Sequence, residues 1–398
     1  MFDLRSLLKN EPFINRLNIG SIGDVISAVS GFDTVAVTAF ETDYLFYGIT
    51  LKNLLEERGV TVFALSLDEG ADAKFVKSFI SDCDAVVVIG ERKICDLVRL
   101  SGVKAPLIYV PTSLVIYHAF SPLVADSSTG LLLKREAKLP DKVIFDTEII
   151  KRLKTRHVAD AFSIVAAARF WLLEYEIGKT AYQKTCDAVG GLSDALTRLS
   201  GISNGVYGTL LTCQIYLAYA VNKCPELDFG ADRYMAFLIC ATEDCPEDEA
   251  RFFSAERITA LYCRLLSLDI TDNLIMPDYN GYVSALSDRL GISPIVVYEN
   301  VAFGDTNGGR AALKRIYEGG IARFSTECKK DLKSLLKGYS AVYGGRKKRV
   351  GVSPENAARA LALSAHLTDG LLKLAADQGI TDLIIDKSAL AKAKRTVN

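Results

Sequence analysis

The residues most able to do chemistry follow an apolar run. Val86-Val87-Val88-Ile89 leads into Gly90-Glu91-Arg92-Lys93-Ile94-Cys95-Asp96. A strand, a tight turn and a helix in that order form a ready phosphate site, because glycines let backbone N–H groups approach a pyrophosphate at the helix N-terminus. Gly90 is the only glycine of this turn, Glu91 puts a carboxylate where a phosphate would sit, and Arg92 and Lys93 offer positive charge. A solvated charged turn explains the same residues. A second apolar run ends in Pro111-Thr112-Ser113, and His118 follows five residues later. Hydroxyls at a strand's carboxyl end are well placed for a ligand, and they also serve as ordinary turn caps.

Histidine is scarce, with only His118, His157 and His366. His157 and Asp160 are three apart and share a face of a helix, which is a weak metal signal by itself. The sequence has no HExxH, no GxSxG and no CxxC. Nine cysteines stand at 83, 95, 186, 213, 224, 240, 245, 263 and 328, several in apolar stretches such as LLTCQIYL and FLICAT. They read as small buried hydrophobes in a reducing compartment. Gly344-Gly345-Arg346-Lys347-Lys348-Arg349 is a short basic run without interleaved aromatics, and a solvated loop accounts for it.

The elements that must position these residues alternate over the first part of the chain. Thr34–Thr38, Val60–Leu65, Asp84–Ile89 and Leu107–Val110 read as strands. Asp43–Arg58, Ala73–Ile80 and Ile94–Leu100 read as the helices between them, and Val143–Phe145 as a closing strand. Continuous apolar strands separated by helices predict a parallel sheet covered on both faces, in a doubly wound α/β domain over residues 1–146. From Thr147 onward helical periodicity dominates until Asp382–Ile385, which predicts an all-helical domain over residues 147–398. Ser293-Pro294 and Ser353-Pro354 mark helix starts there. The most apolar helical stretch, Gly205–Val221, contains Gln214 and two threonines and reads as a buried core helix.

Length and charge agree. At roughly 100–200 residues per domain, 398 residues make two domains. The 47 basic and 48 acidic residues leave a net charge of -1, against a nucleic-acid partner. The opening MFDLRSLLKNEPF carries charges and no long apolar core, so neither a secretory signal nor a membrane role is expected and the location expected is cytoplasmic.

These pieces, in this order, resemble the superfamily of dehydroquinate synthase, glycerol dehydrogenase and iron-containing alcohol dehydrogenase, most nearly its glycerol-1-phosphate dehydrogenase branch. The resemblance implies a Rossmann-like nucleotide domain followed by a helical metal and substrate domain. It runs from about residue 13 to beyond residue 325, through Pro111-Thr112-Ser113, His118-Ala119-Phe120-Ser121-Pro122, Leu139–Asp146, Ala159-Asp160-Ala161 and Ile321–Ser325. Carried over, Gly90, Arg92, Lys93, Asp96, Thr112 and Ser113 fall at NAD(P) positions, while the family's acid for the adenosine ribose falls near Phe40, with Glu41 beside it, so the nucleotide side is eroded. Asp160 falls at a metal ligand. The substrate-loop Asp of glycerol-type members aligns with His118, a candidate proton donor.

The departures are specific. Ala231 or Arg233 stands where the family has one metal-binding His, and Ser254 where it has the other. Ser is a poor ligand for zinc or iron, and Ala and Arg offer none. The expected function is therefore a dehydrogenase-like protein that has lost metal-dependent NAD(P)-linked catalysis. It would bind a small molecule, form a homodimer, or serve as a subunit beside an active relative, with no tightly bound cofactor. The first alternative is an active NAD(P)-dependent oxidoreductase on a glycerol-phosphate-like or polyol substrate, with zinc or iron in a non-standard site or with acid catalysis by His118. The second is a dehydroquinate synthase-like lyase.

Overall fold

A computed structural model describes residues 11–153 apart from Glu69, 204–243 apart from Cys224, 278–301 and 352–365, with scattered residues in 157–164, 245–261 and 367–373. Asp160, the Gly344–Arg349 run, Ile321–Ser325 and Asp382–Ile385 lie outside these. The chain divides into two compact units. The first takes Met1–Asp126, Lys134–Ala161 and Ser203–Pro225, and the second takes Ser127–Leu133, Phe162–Ile202 and Glu226–Asn398.

The first unit is built on a six-stranded parallel sheet in the order β1-β8-β5-β4-β2-β3. Its strands are β1 Leu17–Gly20, β2 Thr34–Phe40, β3 Thr61–Leu67, β4 Ala85–Gly90, β5 Leu107–Pro111 and β8 Lys142–Asp146. A two-stranded sheet pairs β6 Leu123–Asp126 with β7 Leu133–Glu136. Every residue of β4 and β5 is buried, as parallel strands covered on both faces require. One face packs Val35, Val37, Val87 and Ile89 against Leu51 and Leu55 of the Ile49–Glu56 helix.

The alternation read from the sequence is present, with strand ends moved by one or two residues. The periodicity missed β1, a four-residue strand with its two middle residues exposed, and the β6–β7 pair, whose Lys134-Arg135-Glu136 is polar. The predicted Asp43–Arg58 helix is broken up. A single turn at Glu41–Asp43 leads into a wider π-helical turn at Tyr44–Gly48, and regular α-helix resumes at Ile49. Gly59 follows at φ 79°, the left-handed end that glycine allows.

The core helix spans Asn204–Lys223 and belongs to the first unit. Its buried Gln214 accepts hydrogen bonds from the backbone N–H groups of Ile116 and Tyr117 at 3.2 and 3.4 Å. Among the described residues no helix is long and apolar enough to cross a membrane. The described elements of the second unit are helices: Ala231–Cys240, Tyr279–Leu290, Pro294–Asn300 and Pro354–Ala365. Met235, Leu238, Ile239, Val283, Leu286 and Leu361 form their common core. Ser293 and Ser353 cap their helices as the sequence predicts, accepting from the N–H groups of Ile295 and Asn356 at 3.3 and 3.1 Å.

Candidate functional site

The sheet order makes a switch point. From β2 the chain moves outward to β3, then crosses to β4 on the other side of β2 and continues to β5. The connections leaving the carboxyl ends of β2 and β4 therefore run in opposite directions, which opens the crevice where doubly wound sheets take ligands.

Three segments meet at that end. β4 stops at Gly90, whose φ is 147°. A Cβ there would lie 2.5 Å from Ile94 Cγ2 and 3.2 Å from Asp43 Oδ2, so the position is open only to glycine. Thr112, just past β5, donates its N–H to Gly90 O at 3.0 Å and its hydroxyl to Asp43 Oδ2 at 3.2 Å. Burial raises the Asp43 carboxyl above the usual range, and the Thr112 hydroxyl offsets part of the rise. Ser113 turns inward and accepts from Val115 N–H at 3.1 Å. Asp43 was not legible as a site residue, since nothing in the sequence pairs it with a threonine 69 positions away. Asp43 and Glu41 share the single turn at Glu41–Asp43.

The turn after Gly90 does not present its cations to the crevice equally. Glu91 sits at the N-terminus of the Arg92–Leu100 helix without capping it, 3.5 Å from His157 Nδ1. The Lys93 ammonium stacks 5.8 Å over the Phe40 ring. Arg92 turns away, giving its Nε to Asp96 Oδ2 at 3.1 Å and its Nη1 to the Tyr117 hydroxyl at 3.0 Å.

Behind the turn lies a buried charge network. Asp96 faces Arg92, Arg99 Nη1 at 3.5 Å and His118 Nδ1 at 3.7 Å. Burial alone would raise its carboxyl, but Arg92, His118 and Arg99 together hold it well below the usual range. Arg99 is fully buried, and it also donates to the carbonyls of Lys138, His118 and Ser121. The spacing 92, 96 and 99 on one helix face signals this cluster in the sequence. His118 is 1% exposed, with Nε2 3.1 Å from Val115 O and Tyr109 and Tyr117 edge-on around it. Burial lowers its pKa despite the neighbouring Asp96, which favours the neutral ring. Its surroundings are those of a packed core group.

Of the residues that the sequence resemblance sets against metal ligands, Ala231 or Arg233 on the one hand and Ser254 on the other are described, the first two on the Ala231–Cys240 helix. Ala231 has no donor atom. Arg233 is buried, gives Nη1 to Asp228 Oδ2 at 2.9 Å and stacks 4.7 Å over the Phe229 ring. Ser254 is buried and donates its hydroxyl to Ala250 O at 2.7 Å. Arg251 pairs with Asp232 at 3.2 Å, so two buried arginine–aspartate pairs occupy this region. Among the described residues no group of three or more His, Cys, Asp or Glu could hold a metal ion. A guanidinium already paired, a methyl group and a hydroxyl turned to its own helix do not fit a divalent cation. A single glycine followed by a carboxylate does not fit a pyrophosphate either.

No protein-family model and no curated protein matches the chain. Solved structures do. An alcohol dehydrogenase from Oenococcus oeni aligns over 94% of this chain and 97% of its own at 13% identity, with a TM-score of 0.61. An archaeal halo-thermophilic alcohol dehydrogenase from a Red Sea brine pool aligns over 94% and 96% at 15% identity and 0.59. An iron-containing alcohol dehydrogenase from Corynebacterium glutamicum aligns over 94% of each chain at 16% identity and 0.56. A parallel sheet followed by helices, matched over nearly the whole length of these enzymes, gives this chain the fold of the iron-containing alcohol dehydrogenases.

Proposed function

We propose that this protein keeps a dehydrogenase scaffold without metal-dependent hydride transfer, and holds a small polar molecule at the carboxyl end of its sheet. One observation carries the reading. Where the resembled enzymes need metal-binding side chains, Arg233 is neutralised by Asp228 and Ser254 is satisfied by Ala250 O. Arg233 has no acceptor atom for a cation, and turning the Ser254 hydroxyl away from Ala250 O would give up a buried hydrogen bond, at about 1–3 kcal/mol.

The crevice chemistry points the same way. Asp43, Glu91 and Thr112 favour a hydroxylated or cationic ligand over an anionic pyrophosphate. His118 is buried in a place that favours the neutral ring, which supports a packing role over that of proton donor. A homodimer, or a place beside an active relative in the cytoplasm, belongs to the same proposal.

Metal analysis of protein purified without chelator, with calorimetric titration of NAD, NADP and their reduced forms, tests it. Substoichiometric zinc and iron and no binding at micromolar nucleotide are expected. A full equivalent of either metal, lost in Asp160→Ala, or micromolar affinity for any of the nucleotides would overturn the proposal.

A further inference from the structure

The turn that follows the Ala231–Cys240 helix brings two thiols together. Ala241 N–H donates to Phe237 O at 3.1 Å, and the N–H groups of Thr242 and Glu243 both donate to Ile239 O, at 3.0 and 2.9 Å. Cys245 N–H then returns to Glu243 O at 2.9 Å. The chain thereby folds back on its last helical turn. Cys245 Sγ comes to 3.9 Å from Cys240 Sγ, and the Cys240 thiol points at Cys245 O at 3.6 Å. Both thiols are half-buried, whereas Cys83, Cys95 and Cys213 are buried. A disulfide spans about 2.05 Å, so bonding needs an approach of about 2 Å, within reach of side-chain rotation.

The same turn is where three helices are tied. Arg289, on Tyr279–Leu290, donates to Leu238 O at 2.9 and 2.7 Å and to Thr242 Oγ1 at 3.0 Å. Asn356, on Pro354–Ala365, donates to Thr242 Oγ1 at 3.1 Å and to the Glu243 carboxylate at 2.5 Å. A covalent link across Cys240 and Cys245 would close a ring around Thr242 and Glu243, two of the three residues that receive these bonds.

We propose that Cys240 and Cys245 form a reversible disulfide, a modification site whose oxidant is a low-molecular-weight disulfide such as oxidised glutathione. One protein thiolate attacks a sulfur of the oxidant, forming a mixed disulfide and expelling one small thiolate. The second protein thiolate attacks the protein sulfur of that mixed disulfide and expels the other. The protein loses two electrons and two protons, and the oxidant becomes two thiols. The link stiffens the turn that holds the Arg289 and Asn356 contacts.

The test equilibrates the full chain in glutathione buffers of graded oxidation, alkylates it and digests it with trypsin. The peptide Tyr234–Arg251 carries these two cysteines and no other. It is expected to pass from a doubly alkylated form to an unalkylated form about 2 Da lighter than the dithiol. A peptide that stays doubly alkylated, or that accumulates only glutathione adducts, would overturn the proposal. Cys245→Ser, at a half-buried position, should stop at the mixed disulfide on Cys240. The oxidised chain should melt at a higher Tm than the reduced one, and Cys245→Ser should show no such rise. Peptide oxidation with an unchanged Tm would overturn the stiffening role.

Discussion

Asp96→Asn removes one negative charge from a pocket that holds two arginines and a histidine. The Arg92 contact at 3.1 Å and the Arg99 contact at 3.5 Å each correspond to about 5 kcal/mol of gross Coulomb attraction at an effective dielectric of roughly 20. Desolvation of the three ions offsets most of that, and removing one partner of a buried pair typically costs about 3–5 kcal/mol. Asn keeps one acceptor and Arg99 keeps its carbonyl partners, so a loss near the lower end, about 3 kcal/mol, is expected in urea unfolding at pH 7.

The pH dependence separates this mechanism from simple repacking. The native Asp96 carboxyl titrates below its ordinary 3.8, so its contribution is complete above that value and is lost as pH falls through the lower native one. The gap between wild type and Asp96→Asn should stay constant from pH 7 to about 4 and narrow as pH falls below the ordinary 3.8. A loss below about 1 kcal/mol at pH 7, or a gap that stays constant down to pH 3, would refute the reasoning.

Three further outcomes are expected. Gly90→Ala places a Cβ 2.5 Å from Ile94 Cγ2 at a φ of 147° and should cost more than Gly102→Ala, whose φ of 75° is strained but whose Cβ meets nothing within 4 Å. Roughly 2–3 kcal/mol against about 1 kcal/mol by chemical unfolding is expected, and equal costs would contradict the packing described. Burial holds the native pKa of His118 below its ordinary 6.5, so the unfolded chain binds the extra proton first and native stability falls as pH drops below 6.5. His118→Gln should flatten that part of the stability profile, and an unchanged slope between pH 6.5 and 5 would show the ring to be ionised in the native protein. Thr112→Val removes the hydroxyl that offsets the burial of Asp43, so the Asp43 carboxyl, followed by NMR titration, should move further upward.

Local pattern carried much of this protein. The runs TVAVT, DAVVVI and LIYV read as buried strands, and their alternation with helices implies a parallel, doubly wound sheet. Ser-Pro placed two helix starts, and the departures at Ala231, Arg233 and Ser254 are visible in the residues themselves. Periodicity records which face of an element is apolar, but not which distant element meets it. The tertiary structure alone decided that β2 and β4 flank the switch point and that Asp43 receives the Thr112 hydroxyl from 69 residues away. It placed the Asn204–Lys223 helix in the first unit, where Gln214 holds the backbone just before His118. It also turned Arg92 from the phosphate turn toward Asp96, because a buried carboxylate with Arg99 and Tyr117 beside it offers a guanidinium more than solvent does. A charged residue in a turn reads from sequence as facing water, and only the packing behind that turn shows which side it takes.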